Sequence, residues 1–256
     1  MESILSDLKK RRLLLLMTNL AYFVLLLVLG YLILIRGYGG AWYAAAGVII
    51  VAYVLIIRPI TVSYKKSVRR AILQYGVCRE LTGMTYKPKS GFTVEEFQAS
   101  ELVNTVSDKA FLSREKVIGH KGGFRIAMAD VTFPIRENGR NAMSSGLYLT
   151  ITGNNVIFPK LTVRAGQFDD LQINGAAASL LQEMASFIPG NLYIQTQTDA
   201  IHLFFRGRFV CFPVNPLINI NEKTLQSNPL PELQQSIKLA QILMLQGRAD
   251  QSERTG

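Results

Sequence analysis

The sequence predicts an α+β protein in two parts: an N-terminal transmembrane helical hairpin, followed by a mostly antiparallel α+β domain on the cytoplasmic side. Three observations predict this. Two long uncharged apolar runs stand close together between residues 13 and 57. Basic residues crowd the outer ends of both runs and leave the link between them almost bare. Beyond residue 79 the apolar positions switch between the period of a strand and that of a helix, with turn residues at each switch.

The chain has 256 residues, of which 49% are hydrophobic and 18% charged. A soluble domain carries about 25% charged residues, so apolar residues displace charge somewhere along this chain. Twenty Gly, nine Pro and two Cys exclude collagen-like, low-complexity and disulfide-scaffold classes.

The basic segment 1–12 is expected to lie in the cytoplasm. Leu13 to Ile35 is a run of 23 residues without a formal charge, about 34 Å of helix against a hydrocarbon core of about 30 Å. A second uncharged run, Ala41 to Ile57, has 17 residues and reaches 20 when Tyr38–Gly40 are included. The link Arg36-Gly37-Tyr38-Gly39-Gly40 holds three glycines, a helix stop and turn that forces the spans antiparallel. Tyr38, Trp42 and Tyr43 gather at this end, where rings with one polar edge suit the bilayer interface. A cleaved signal peptide is disfavoured, because its apolar core would be only about 7–15 residues long.

Orientation follows from charge. Lys9, Lys10, Arg11 and Arg12 precede the first span, and Arg58, Lys65, Lys66, Arg69 and Arg70 follow the second, against Arg36 alone between them. Basic flanks stay in the cytoplasm, so both termini are expected inside a cell membrane crossed twice. The net charge of +10 has the same origin: residues 1–70 contribute +8 and the remainder only +2. Nucleic acid is therefore not expected as a partner; the bilayer, and anionic headgroups at the basic flanks, are.

A juxtamembrane helix is expected within 59–78, with Pro59 near its start. Val62, Val68, Ile72 and Leu73 lie on one side and Lys65, Lys66, Arg69 and Arg70 on the other, where the cations meet headgroups. The domain proper is read as 79–247. After a turn at Lys87–Gly91, Thr93 and Glu96 form a capping box for a short helix. Val117–Ile118, the turn His120-Lys121-Gly122-Gly123, and Phe124 to Pro134 read as a hairpin. A polar loop at Glu137–Asn141 precedes strands Gly146–Thr152 and Val156–Val163, and a helix follows over Gly175–Phe187. Three short strands, Leu192–Gln197, Ile201–Phe205 and Phe209–Phe212, come next. The final helix, about Pro229–Gln246, is expected to stop at Gly247, leaving 248–256 as a disordered tail. Phe133-Pro134, Phe158-Pro159 and Phe212-Pro213 read as strand-end punctuation.

Catalytic constellations are sparse. The chain holds no phosphate-binding GxxxxGK[ST] loop, no HExxH and no GxSxG, and only two histidines. No catalytic residue, metal site or cofactor is expected. His120 belongs to a hairpin tip, and Cys78 and Cys211 match no metal spacing. Glu95-Glu96 and Asp169-Asp170 are adjacent pairs whose side chains point apart. The candidate ligand-binding residues are His202, in the apolar strand Ile201–Phe205, with Arg206 and Arg208, whose guanidinium forks suit a phosphate or carboxylate. Gly40, Ala44 and Gly47 give a small-residue face for a membrane-protein partner.

Leu81–Phe97 (LTGMTYKPKSGFTVEEF), the strand pattern through Phe124–Phe133 and Asn191–Phe205 (NLYIQTQTDAIHLFF), behind two N-terminal spans and a basic helix, resemble a bacterial membrane-protein family. It is catalogued as domain of unknown function 3137, and the resemblance covers roughly residues 10–220. Many members carry a longer glycine-aromatic stretch where this chain has Arg136–Ser145. The resemblance implies an inner-membrane protein with a cytoplasmic domain, and brings no catalytic residues to carry over. The expected function is non-enzymatic binding of a partner or ligand near the membrane. The alternatives are an enzyme on a lipid or small anionic substrate, or an accessory subunit of a membrane complex.

Overall fold

The computed structural model describes residues 2–36, 41–73, 81–103, 110–137, 140–154, 156–164, 167–168, 175–187, 191–209 and 231–255. They fall into two compact units, one up to residue 73 and the other from residue 81 onward. The Gly-rich link 37–40, Cys78, Asp169-Asp170, Cys211 and Phe212-Pro213 lie outside the described residues, as do the side chains of Trp42, Tyr43, Ala44 and Arg70.

In the first unit α1 (Glu2–Arg36) is one unbroken helix that includes the basic N-terminal segment. The second helical run comprises α2 (Ala41–Ala52), a π-helical turn at Tyr53–Ile57 and α3 (Arg58–Ile72). Pro59, the second residue of α3, lies near that helix's start as expected, but the helical run continues through it from the second span without a break. The wide turn explains how. Arg58 N–H bonds the Tyr53 carbonyl, five residues back, and the enlarged turn makes room ahead of a ring that would crowd an ordinary α-turn. Thr61 Oγ1 donates to the Ile57 carbonyl at 2.9 Å, which satisfies a carbonyl next to the irregularity.

Ile4–Tyr31 and Gly47–Arg69 are long and apolar enough to cross a membrane. Arg11 donates to Ser63 Oγ at 3.3 Å, and Tyr22 O–H donates to the Ile49 carbonyl at 3.2 Å. An earlier residue of α1 thus meets a later one of the second run. The packed core of this unit lies at the basic end, where Leu8 and Leu15 join Tyr64, Val68, Ala71 and Ile72. Val62, expected on that face, is exposed.

The second unit is built on a sheet of eight strands in the order β1-β2-β3-β4-β8-β7-β5-β6, with every pairing antiparallel. These are β1 (Thr82–Lys87), β2 (Leu112–Lys121), β3 (Phe124–Glu137), β4 (Arg140–Gly153), β5 (Thr162–Arg164), β6 (Gln167–Phe168), β7 (Leu192–Thr196) and β8 (Ala200–Arg206). Among the described residues the helices are α4 (Val94–Gln98), α5 (Gly175–Phe187) and α6 (Pro231–Thr255). The α+β class with a mostly antiparallel sheet is thus the observed one.

The hairpin β2–β3 turns on Gly122 and Gly123, with φ of +60° and +84°, the pair of left-handed residues that a tight hairpin turn requires. His120 is the residue before last of β2, opposite Arg125. Several expectations change. Of the segment expected as a polar loop, Glu137, Arg140 and Asn141 are strand residues: Glu137 pairs with Arg140 and Arg136 with Asn141, while 138–139 lie outside the described residues. Pro134 lies within β3 and ends nothing. Its neighbour on the β2 side stops at Leu112, opposite Thr132, so Pro134 needs partners only toward β4. Of Val156–Val163 only the end is strand, and Phe209 does not extend a further one. Strand β1 was not foreseen.

The last helix does not stop at Gly247 but continues to Thr255, through the segment read as a tail. The glycine has another purpose. A Cβ there would collide with the Ile157 carbonyl oxygen, so Gly247 lets α6 approach that backbone closely.

Both faces of the sheet are buried. One carries Val117, Ile126, Met128, Leu149, Ile151, Ile201 and Leu203. The helices α5 and α6, which pack on each other, have apolar stripes through Leu181, Met184, Leu233, Ile237 and Leu243. On the other face Ala129, Val131, Phe133, Tyr148 and Phe204 pack under Phe92, Phe97 and Leu102. The Thr93–Glu96 capping box forms as expected, with Glu96 N–H bonded to Thr93 Oγ1 and Thr93 N–H to Glu96 Oε2.

Candidate ligand-binding cleft

The face under α4 is not filled from end to end. Along β3 its residues are Arg125, Ala127, Ala129, Val131 and Phe133, large toward one end and small in the middle. Tyr148 and Phe204 fill the space over Ala129, whereas Ala127 is opposite Thr150 and Ile118, neither of which reaches across. The result is a cleft of about 160 Å³ lined by Phe92, Glu96, Lys116, Ile118, Arg125, Ala127, Thr150 and Thr152.

Lys116 forms one wall. Its Nζ is 3.3 Å from Glu96 Oε2 and 4.2 Å from the centroid of the Phe92 ring. A bulge in β2 places it: Glu115 and Lys116 together oppose a single residue of β3, and Glu115 has φ of +62°. Such strain in a non-glycine residue persists only where the surroundings hold it, and here Tyr86 O–H donates to the Glu115 carboxylate. The bulged backbone is tied to the preceding loop by Lys116 N–H to the Ser90 carbonyl at 3.0 Å. Thr150 and Thr152 donate to the carbonyls of Ala127 and Arg125 at 3.3 and 3.4 Å. The Arg125 side chain is exposed on the rim and has no ion-pair partner among the described residues.

Beside the cleft, directly opposite Thr150, is His202. The structure gives both ring nitrogens a partner: Nδ1 is 2.9 Å from the Tyr148 hydroxyl and Nε2 3.1 Å from Gln197 Oε1. The Gln197 amide is oriented by Nε2 donating to the Ala99 carbonyl at 2.5 Å, so Oε1 accepts from His202 Nε2–H and Tyr148 O–H donates to Nδ1. Burial pushes the imidazole down to about 4 and keeps the Tyr148 phenol well above its ordinary value. His202 is thus a neutral group that ties β4 and β8 to the end of α4.

Of the three candidate residues, His202 and Arg208 are engaged by partners within the protein. Arg208 pairs through Nε with Glu232 Oε1 at 3.1 Å, a carboxylate almost fully buried in the first turn of α6. Arg206, at the end of β8, is half-buried and pairs across the sheet with Gly146. Lys65 and Lys66 are exposed on α3, and Arg69 is half-buried. Among the described residues no cluster of three or more His, Cys, Asp or Glu could hold a metal.

Sequence reasoning passed over Phe92, Lys116, Arg125, Ala127, Thr150 and Thr152. One signal was present: strand alternation puts Arg125, Ala127 and Ala129 on one face, two small side chains beside a cation in an otherwise bulky strand. No family model, curated protein or solved structure matches the chain.

Proposed function

We propose that this is a two-span membrane protein whose α+β unit, on the cytoplasmic side with both termini, binds a ligand or partner without transforming it. The observation that carries the reading is the surface of the two apolar helices. Leu13, Leu14, Met17, Leu20, Phe23, Leu27 and Ile35 on α1, and Val48, Ile50, Val51, Leu55 and Ile56 on the second run, are all exposed. Water would not tolerate so continuous an apolar belt, whereas lipid is its natural solvent. The contacts Arg11–Ser63 and Tyr22–Ile49 support a helical hairpin. The basic residues at both outer ends support the inward placement of the termini, and Lys65 and Lys66 are available to anionic headgroups.

Within the α+β unit the cleft beside His202 is the proposed ligand site. Kinship with the family of domain of unknown function 3137 remains part of this proposal and fits its layout. Alkaline carbonate extraction of membranes from cells expressing the full chain tests the anchoring. Retention in the pellet is expected, and release into the supernatant would overturn it.

A further inference from the structure

We propose that the cleft over Ala127 binds a phosphate group, carried by a soluble phosphate ester or by the headgroup of a phospholipid. This deepens the binding role given to the cleft above and rests on it. The lining is rich in donors. The Arg125 guanidinium offers a planar fork of N–H groups with no competing carboxylate among the described residues, and the Lys116 ammonium has donors left after its contact with Glu96. Glu96, the one acid in the lining, is already engaged, since its Oε2 accepts from both Lys116 and Thr93 N–H. Two cations against one anion leave the cleft with a net positive charge.

The floor adds the Thr150 and Thr152 hydroxyls, whose bonds to strand carbonyls are long, at 3.3 and 3.4 Å, and are readily exchanged for bonds to a better acceptor. Donors thus approach from the rim, one wall and the floor, which suits a tetrahedral group. Size agrees: about 160 Å³ holds roughly five waters' worth of volume, enough for a phosphate and a few further atoms against Phe92 and Ile118. The hollow exists because residue 127 is alanine, and Lys116 stands over it because the bulge at Glu115 turns it there.

The test uses the full chain in phosphatidylcholine nanodiscs, with equilibrium dialysis against labelled inorganic phosphate. Saturable binding is expected. Arg125→Gln, at an exposed position that the fold does not depend on, should weaken it roughly tenfold or more. Ala127→Leu, which fills the hollow without changing charge, should weaken it by a similar factor. Arg164→Gln, which removes an exposed cation outside the cleft, should change it less than twofold. Glycerol 3-phosphate and glycerophosphoglycerol serve as competitors: stronger competition by the first assigns a soluble ester, and by the second a lipid headgroup. Absence of saturable binding, or binding unaltered by Arg125→Gln, or equally weakened by Arg164→Gln, would overturn the proposal. None of these results bears on carbonate extraction, so the anchoring and the ligand fail separately.

Discussion

The Tyr148 hydroxyl and His202 Nδ1 meet at 2.9 Å inside the sheet, and their rings lie nearly parallel, 5° apart. The contact joins residues from β4 and β8, strands distant in sequence and adjacent in space. It sits beneath α4, so its state affects the wall of the cleft.

Acid should weaken the α+β unit through this pair. Burial lowers His202 in the folded chain to about 4, against its ordinary 6.5. Between these values the unfolded chain takes up a proton that the folded chain refuses. The contribution is therefore full above pH 6.5 and is lost as pH falls toward 4; over that span it amounts to about 3 kcal/mol. Urea unfolding of the detergent-solubilised chain, followed by near-ultraviolet circular dichroism at pH 7 and pH 4.5, should show a lower midpoint in acid. His202→Gln should flatten that difference.

Tyr148→Phe should destabilise the protein by about 1–3 kcal/mol, because the imidazole keeps its burial and loses a donor. The same unfolding measurement reads it. In combination with His202→Leu the losses should be less than additive, and strict additivity would show that the two groups do not interact.

Arg208→Ala should be destabilising, by about 1–3 kcal/mol, because it strands the buried Glu232 carboxylate. The partial exposure of Arg208 keeps the loss below that of a fully buried pair. Adding Glu232→Gln should recover much of it, which a ligand-binding role for Arg208 would not predict.

Gly247→Ala should also lower stability, by about 1–3 kcal/mol, although alanine is the better helix former. The methyl group would meet the Ile157 carbonyl. A more stable Gly247→Ala protein in thermal unfolding would show that α6 does not approach residue 157 so closely.

Much of this architecture was legible in the sequence because it depends on local chemistry. The two apolar runs, the Thr93–Glu96 capping box, the Gly122–Gly123 hairpin and the helix Gly175–Phe187 each follow from neighbours in the chain. What escaped depends on distant partners. Gly247 reads as a stop until Ile157 is seen beside it, and Pro134 reads as a strand end until β2 is seen to finish earlier. The helix does begin beside Pro59, but sequence alone gives no sign of the π-helical turn that joins it without a break to the second span. The cleft was hidden for a similar reason. His202 and the Arg206–Arg208 tip drew attention by residue type, yet Arg208 faces Glu232 and His202 faces Tyr148 and Gln197. The lining side chains come from α4 and its lead-in, β2, β3 and β4, and only the register of those strands brings them together.

We propose above all that two lipid-embedded helices hold the α+β unit on the cytoplasmic side. The most direct measurement is a pair of alkaline phosphatase and green fluorescent protein fusions, one set placed after Gly256 and the other after Gly39. The account predicts fluorescence without phosphatase activity for fusions after Gly256, and the reverse after Gly39. Phosphatase activity from the fusion after Gly256 would contradict it.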